Sequence, residues 1–550
     1  MSSIRIPRRL VGVAASVALA LGVSGAAFAA VVASSAPASA ATTIGPVDPS
    51  IPDGNANSLR DVLENQIGSG DTVVLQAGAT YTLDLCAEPI PIPKSAGGPH
   101  AADGTTGYDD IEIAAAVTIE GNGATIDQTC KDRVLYTEDD ITLQDVTVTG
   151  GNSSSYGGGL DVDNFGGTTT LTNVTFTGNE AESGGGVGTL GDLTVTGSTF
   201  TNNQASKGPG GGIQLGNPSV TATVSGSTFT GNTATGAEDA WGGAIEESGL
   251  SKNSVGAAAT SPFSITVSGS TFTQNTAASD GGGALDSEDS GTWNISHTTI
   301  DGNEGGQGGG IGTFETDSVV NVDHSTLSNN TSHEAGGAIL LCCNDSEASA
   351  AAASGSSATI VDSTITGNHQ ASDAAVSVEG AANITYSTVT DNANDATPDG
   401  LSAGTHHKVS ATAEGTNPAT GVVADTITLA GTVLAQPHGA ANCSATDGGT
   451  ITSNGYNFSD DASCNLVGTG DQASAGDPVL GALADNGGPT RTRLPGATSP
   501  LLDAIPVAAC VINGVTDDQR GISRPQGTGC DVGAVEVAVV PIEIAPKFTG

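Results

Sequence analysis

The stretch Gly197-Ser-Thr-Phe-Thr-Asn-Asn203, followed by Gly210-Gly-Gly-Ile-Gln214, decides the fold, because the chain repeats it. Thr175-Phe-Thr-Gly-Asn179 precedes Gly184-Gly-Gly-Val187, Thr228-Phe-Thr-Gly-Asn232 precedes Gly242-Gly-Ala-Ile245, and Thr271-Phe-Thr-Gln-Asn275 precedes Gly281-Gly-Gly-Ala-Leu285. Looser copies follow at Ile300 to Asn303 and Leu327 to Asn330, and two more, Ile365 to Asn368 and Val389 to Asn392, lose the glycines. From Val148 through Phe176, Phe200, Phe229, Phe272, Ile300, Leu327, Ile365 and Val389 the spacings are 28, 24, 29, 43, 28, 27, 38 and 24 residues. A period in the twenties, sustained in this way, marks a solenoid whose repeats stack only on their neighbours.

Within each copy, apolar residues alternate over three to five positions and turns recur every few residues, which is a strand pattern rather than a helical one. Coils of such strands stack about 4.8 Å apart. The Phe, Ile and Val positions are then interior ladders. The Asn three residues further on (179, 203, 232, 275, 303, 330, 368 and 392) sits where the chain must turn, and Asn can hydrogen-bond its equivalent in the next coil. The glycines suit corners that side chains would obstruct, and with no following helix and Lys they make a poor phosphate cradle.

Composition sets the outer bounds. Gly is 79 of 550 and aromatics are 3%, which leaves no conventional large core, yet 37% apolar residues argue against disorder. The N-terminus has the form of a secretory signal: Arg5, Arg8 and Arg9, an apolar run from Leu10 to Val23, then Ala27-Phe-Ala29 and Ala38-Ser-Ala40 as cleavage sites, the second preferred. Its removal leaves 12 basic against 59 acidic residues, net -47. Such a chain repels nucleic acid and anionic lipid. Nothing later in the sequence could span a membrane, so the expected location is secreted, or associated with a cell surface without a transmembrane anchor. Eight cysteines in an exported chain imply disulfides. Proximity pairs Cys443 with Cys464 and Cys510 with Cys530, and elimination pairs Cys86 with Cys130. Cys342-Cys343 are adjacent, either a vicinal bridge or two thiols.

Taken in order, residues 1–40 are the signal and 41–57 a leader expected to be mobile. Residues 58–110 are an N-terminal cap in which Asn57-Ser58 caps a short helix bearing Leu59, Val62, Leu63 and Ile67. Ser58-Leu-Arg-Asp61 resembles the Ser-Leu-Arg-acid core of the CSLREA module of secreted bacterial β-helix proteins, with Asn57 in place of its Cys and Val62 in place of its Ala. The repeats occupy 111–440, and the pairing of Phe-x-x-Asn with Gly-Gly-Ala-Ile resembles the repeats of chlamydial polymorphic outer-membrane proteins. More broadly it resembles the pectate-lyase-like fold. The resemblance implies an all-β, single-stranded right-handed parallel β-helix, and it implies no activity, since that architecture hosts lyases, hydrolases and adhesins.

The spacings of 43 and 38 mark insertions at 248–261 and 347–357, and His406-His407 are expected in a loop. Over 441–540, Asp485-Asn-Gly-Gly-Pro-Thr490, Leu494-Pro-Gly-Ala-Thr-Ser-Pro500, Asp518-Gln-Arg-Gly521, Arg524-Pro525 and Cys530-Asp-Val-Gly-Ala534 resemble the choice-of-anchor Q domain that closes extracellular β-helix proteins. The resemblance implies a disulfide-containing C-terminal cap, with Arg520 in an ion-pair cluster beside Asp517, Asp518 and Asp531. Residues 541–550 are a tail without an apolar anchor, and Leu494-Pro-Gly-Ala-Thr498 lacks the glycine of a sortase motif.

The candidates for chemistry on the solenoid are the residues that follow each Gly-run hydrophobe and should point outward: Asp161, Gly188, Gln214, Glu246, Asp286, Gly312 and Leu340. Glu246 and Asp286 fall in successive coils, about 5 Å apart, with Glu288 on the same strand face. Carboxylates at that separation suit hydrolysis of a neutral glycan, and Trp241 and Trp293 could flank it as a sugar platform or pack as edges. Asp161, Asp163, Glu246 and Asp286 are the candidate ligands if calcium is bound, and no other cofactor is implied. From Val134 to His407 there is no Arg, and Lys only at 207 and 252, so a lyase acting on acidic sugars fits poorly. The leading expectation is a non-enzymatic extracellular solenoid, monomeric, that meets a glycan or protein surface; the alternative is a glycoside hydrolase using Glu246, Asp286 and Glu288.

Overall fold

The computed structural model describes residues 41–86, 110–236, 240–248, 262–279, 281–315, 317–342, 355–371, 374–393, 422–435 and 441–537. Each repeat contributes four strands. In the coil quoted first, Asp192–Thr196 turns Leu193 and Val195 inward, the chain bends at left-handed Gly197, and Thr199–Thr201 turns Phe200 inward. After Asn203 comes a two-residue strand, Gln204–Ala205, then the glycines, then Ile213–Leu215 with Ile213 and Leu215 inside. We call the four resulting stacks the long, Phe, short and Gly-run ladders.

Like strands pair in parallel with like. Phe176 stands in register with Phe200, Phe229, Phe272, Ile300, Leu327, Ile365 and Val389. The long, Phe and Gly-run ladders join into one 34-stranded sheet, and the short ladder forms a seven-stranded sheet of its own. The fold is therefore a parallel β-helix, as the repeat spacing predicts. Four phenyl rings stack with centroids 5.2, 4.6 and 4.8 Å apart and planes 17, 4 and 8° from parallel. Burying each ring contributes roughly 1.5–3 kcal/mol.

The eight asparagines form the expected ladder and are buried. From Asn179 to Asn392 each Nδ2 donates to the Oδ1 of the next, at 2.9 to 3.1 Å. A second ladder, of serines, runs beside it. Ser198, Ser227 and Ser270 turn the long strand into the Phe strand, and each amide donates to the hydroxyl of the next coil, as Ser198 does to Ser227 at 3.1 Å. Both ladders satisfy backbone groups that a buried turn would otherwise orphan.

At the N-terminal end Ser58 caps the helix as expected, its Oγ accepting from the Asp61 amide at 3.2 Å. Leu59, Val62 and Leu63 are buried beneath it. The leader differs from expectation. Thr43–Val47 is a strand paired with Asp71–Leu75, which pairs in turn with Val117–Gln128, so these residues begin the solenoid rather than trail from it. At the other end, Cys443–Ser453 and Phe458–Ser459 extend the ladders past residue 440. Disulfides join Cys86 to Cys130, Cys443 to Cys464 and Cys510 to Cys530. Cys342 is oxidised, while Cys343 lies outside the described residues. So do the signal, the tail, His406-His407 and most of both insertions.

The C-terminal segment also does more than cover an end. Its two short antiparallel pairs, Leu480–Ala484 with Thr492–Pro495 and Ile505–Pro506 with Gly529–Cys530, lie along the flank of the Phe ladder. Thr326 Oγ1 donates to the Arg491 carbonyl and accepts from Gln519 Nε2 at 2.9 Å, Thr364 Oγ1 donates to Gln519 Oε1 at 2.6 Å, and the Ala534 amide donates to Thr388 Oγ1 at 3.1 Å.

Candidate functional site

Strand parity sends Asp161, Gly188, Gln214, Glu246, Asp286, Gly312 and Leu340 away from the core, and the register aligns them in one row. The expectation that this row faces solvent is overturned. Asp161 is 2% exposed and Glu246 and Asp286 are 0% exposed. The cause is the glycine run, which folds back over the strand that follows it. Gly242, left-handed at φ 60°, lies so close over the strand that a Cβ there would come within 2.4 Å of the Glu246 Cβ. The Gly282 amide closes on Asp286, donating to Oδ1 at 2.5 Å, and the Asp286 carboxylate leans over Gly312, where a Cβ would meet it at 2.7 Å.

The row does bring Glu246 and Asp286 together as register partners, with Glu288 following on the same strand face. Sequence reasoning missed Glu247. It occupies the inward column that holds Leu215 and Ser287 in the neighbouring coils, so it points into the solenoid and is fully buried. No hydrogen-bond partner within reach satisfies the carboxylate oxygens of Glu246 or Glu247 among the described residues, although Ser248 and the Asp289 amide lie near enough to favour the charged forms slightly. Burial, then the Asp286 charge, push the Glu246 carboxyl well above the ordinary range; burial, then Asp289, do the same to Glu247. Asp286 is raised by burial and then by Glu288. These groups hold protons at a pH where surface carboxylates have lost theirs.

Asp161 does not join them. It lies three ladder steps from Glu246, roughly 14 Å at ~4.8 Å per step. It is ion-paired to Arg133, which also meets Asp110 at 3.1 Å, and Asp163 follows on that same strand's exit. The four candidate calcium ligands are therefore not gathered into one site, and no group of three or more His, Cys, Asp or Glu side chains among the described residues is arranged to hold a metal. The tryptophans offer no platform either: Trp293 is buried, edge-on to Phe263 at 6.0 Å with Nε1 donating to Ser287 Oγ at 3.2 Å, and half-buried Trp241 packs against Gly281.

The arginine cluster also differs from expectation. Arg520 pairs with Asp518 at 2.7 Å, as foreseen, but Asp531 belongs to a second centre. That centre is Arg524, fully buried, at 3.1 Å from Asp362, 3.2 Å from Glu536 and 4.0 Å over the Tyr386 ring. Burial outweighs the Arg524 charge and pushes Asp362 up to about 7. With Arg491 on Asp301 and Arg493 on Asp391, the arginines fasten the C-terminal segment to the solenoid. Each described arginine is thus committed to a carboxylate, which leaves none to grip an acidic sugar.

What stays open is the Phe ladder's outer side. The residue before each ladder hydrophobe is Thr in eleven successive strands: 80, 125, 147, 175, 199, 228, 271, 299, 326, 364 and 388. The C-terminal segment buries the last three, and the first eight meet solvent. The period-2 alternation of the sequence encodes this column, one residue before each ladder hydrophobe.

Neither a protein-family model nor a curated protein sequence matches the chain. A solved structure described as "Crystal structure of pectate lyase Pel9A" is similar at a TM-score of 0.34 and 13% identity, covering 91% of this chain and 97% of that one. The β-helix assignment rests on the strand register given above.

Proposed function

We propose that this protein is a non-enzymatic extracellular β-helix that works by presenting the outer faces of its coils to a partner surface. The observation that carries the reading is the closure of the acid row: Glu246 and Asp286 stand side by side, but the chain seals them, and a glycan cannot reach them. Hydrolysis needs a carboxyl within hydrogen-bond reach of the scissile bond. The signal-like N-terminus and the disulfides support an exported protein. The CSLREA-like cap, the outer-membrane-protein-type repeats and the choice-of-anchor Q-like segment belong to the same proposal, and their chemistry calls on no cofactor.

The test is an assay of the purified chain against neutral and acidic polysaccharides beside Glu246→Gln and Asp286→Asn. The reading expects no released sugar from any of the three. Cleavage by the wild type that either variant abolishes would restore the glycoside hydrolase alternative.

A further inference from the structure

The bare part of the Phe ladder has a regularity that the fold alone does not demand. In five successive strands both outward positions are threonine: Thr147 with Thr149, Thr175 with Thr177, Thr199 with Thr201, Thr228 with Thr230, and Thr271 with Thr273. All ten reach solvent. The pairing runs from Thr147 to Thr273 without a register shift, and the ring stack beneath it measures the repeat directly, 4.6 to 5.2 Å between coils. The rings beneath coils 200 to 272 lie 4 and 8° from parallel, and those of coils 176 and 200 lie 17° apart, so the side chains under the face repeat with nearly the same orientation from coil to coil. Across each strand the two threonines lie about 6.6 Å apart, two residues at ~3.3 Å each.

Charge singles out the same patch. On a chain of net -44, four of the patch's five strands with the turns on either side, residues 173–178, 197–202, 226–231 and 269–274, contain no charged residue, and the fifth carries one at its edge, Asp145, which accepts from Asn173 Nδ2 at 3.1 Å. The hydroxyls of this column are also competent to bind. Where the column continues under the C-terminal segment, Thr326, Thr364 and Thr388 each exchange a hydrogen bond with it. The segment stays anchored over the later coils by Arg491, Arg493 and Arg524 on Asp301, Asp391 and Asp362. The ten-threonine face has no such covering among the described residues.

A partner for this face must be uncharged, must repeat in two directions on the same small lattice, and must accept alternating methyls and hydroxyls. A polysaccharide surface fits poorly, because no aromatic side chain lies on the face to stack on a sugar ring; the Phe rings and Trp293 are inside. A water lattice fits: a threonine hydroxyl can both donate and accept, and although Thr149 Oγ1 donates to the Thr177 carbonyl at 2.7 Å and the Thr230 and Thr273 hydroxyls bond each other at 3.1 Å, each keeps capacity for water. We propose that Thr147 to Thr273 form an ice-binding face. The proposal deepens the non-enzymatic reading and rests on it.

The experiment measures thermal hysteresis and ice recrystallisation with the purified full chain, beside Thr201→Tyr and Thr230→Tyr at the centre of the face. Thr194→Tyr, exposed on the neighbouring long ladder, is the control, and circular dichroism with a melting midpoint checks that all four proteins fold. Sedimentation with microcrystalline cellulose runs in parallel. The expected result is hysteresis in the wild type and the control, and its loss in both central variants. Absence of hysteresis, equal loss in the control, or sedimentation with cellulose in place of ice activity overturns the proposal. Sugar release in the polysaccharide assay would instead overturn the non-enzymatic reading, so the two failures are distinguishable.

Discussion

The Gly-run ladder and the Phe ladder are faces of one solenoid with the same strand parity, yet their outward residues meet opposite fates. Asp161, Gln214, Glu246 and Asp286 are sealed, while Thr175, Thr199, Thr228 and Thr271 meet solvent. Parity fixes only the direction of a side chain; where the chain travels next fixes its access. Before each Gly-run strand the backbone folds over the outer side, as at Gly242. After each Phe strand it turns away at the asparagine, and only beyond Thr299 does the C-terminal segment arrive to cover the threonines.

The largest change to this contrast comes from removing the fastening of that segment. Arg524→Met strands the carboxyls of Asp362 and Glu536 in the interior. Breaking a buried pair in this way costs about 3–5 kcal/mol. Urea unfolding should show the loss, and proteolysis should clip the C-terminal segment first. An unchanged midpoint would mean that the segment is held by its threonine contacts alone.

Glycine substitutions compare the faces directly. Gly242→Ala meets both a left-handed backbone, roughly 1–2 kcal/mol, and the overlap with Glu246, about 1–3 kcal/mol more. On the open side Gly178 is also left-handed, but a Cβ there meets nothing within 4 Å. Gly178→Ala should therefore lose only the first of those terms. Equal melting shifts for the two variants would remove the steric account of closure.

A smaller and pH-dependent effect tests the buried acids. Their folded carboxyls titrate above the ordinary 4.5 of Glu and 3.8 of Asp, so between those values and the folded ones the native state binds more protons than the unfolded chain. Their stabilising, protonated form is fully present below the ordinary values and is lost as pH rises through the folded ones. Glu247→Leu, which copies Leu215 of the preceding coil, should thus stabilise by about 1–3 kcal/mol at alkaline pH and change little at pH 4. Stabilisation independent of pH would assign the gain to packing.

The parts of this molecule that the sequence announces are those fixed by neighbours in register. Phe176, Phe200, Phe229 and Phe272 stack, Asn179 to Asn392 bond in a line, Ser58 caps its helix, and the three cysteine pairs close. Other features depend on contacts that no local pattern encodes. Arg524 finds Asp362 at a sequence separation of 162 residues, and Thr43–Val47 becomes a strand only because Asp71–Leu75 lies beside it. The acid row shows the limit most plainly: alternation correctly turns Glu246 away from the core, and the backward fold of the preceding glycines then encloses it. Glu247 lay in plain view one residue further on, where the same alternation points it inward.

Carboxyl labelling measures that enclosure itself. Treated with a water-soluble carbodiimide and an amine at near-neutral pH, then read by mass spectrometry, the folded protein should modify exposed acids such as Asp192 and leave Glu246, Glu247 and Asp286 unlabelled until urea unfolds the chain. Labelling of Glu246 and Asp286 in the folded protein at the rate of Asp192 would contradict the closed row, and with it the non-enzymatic account.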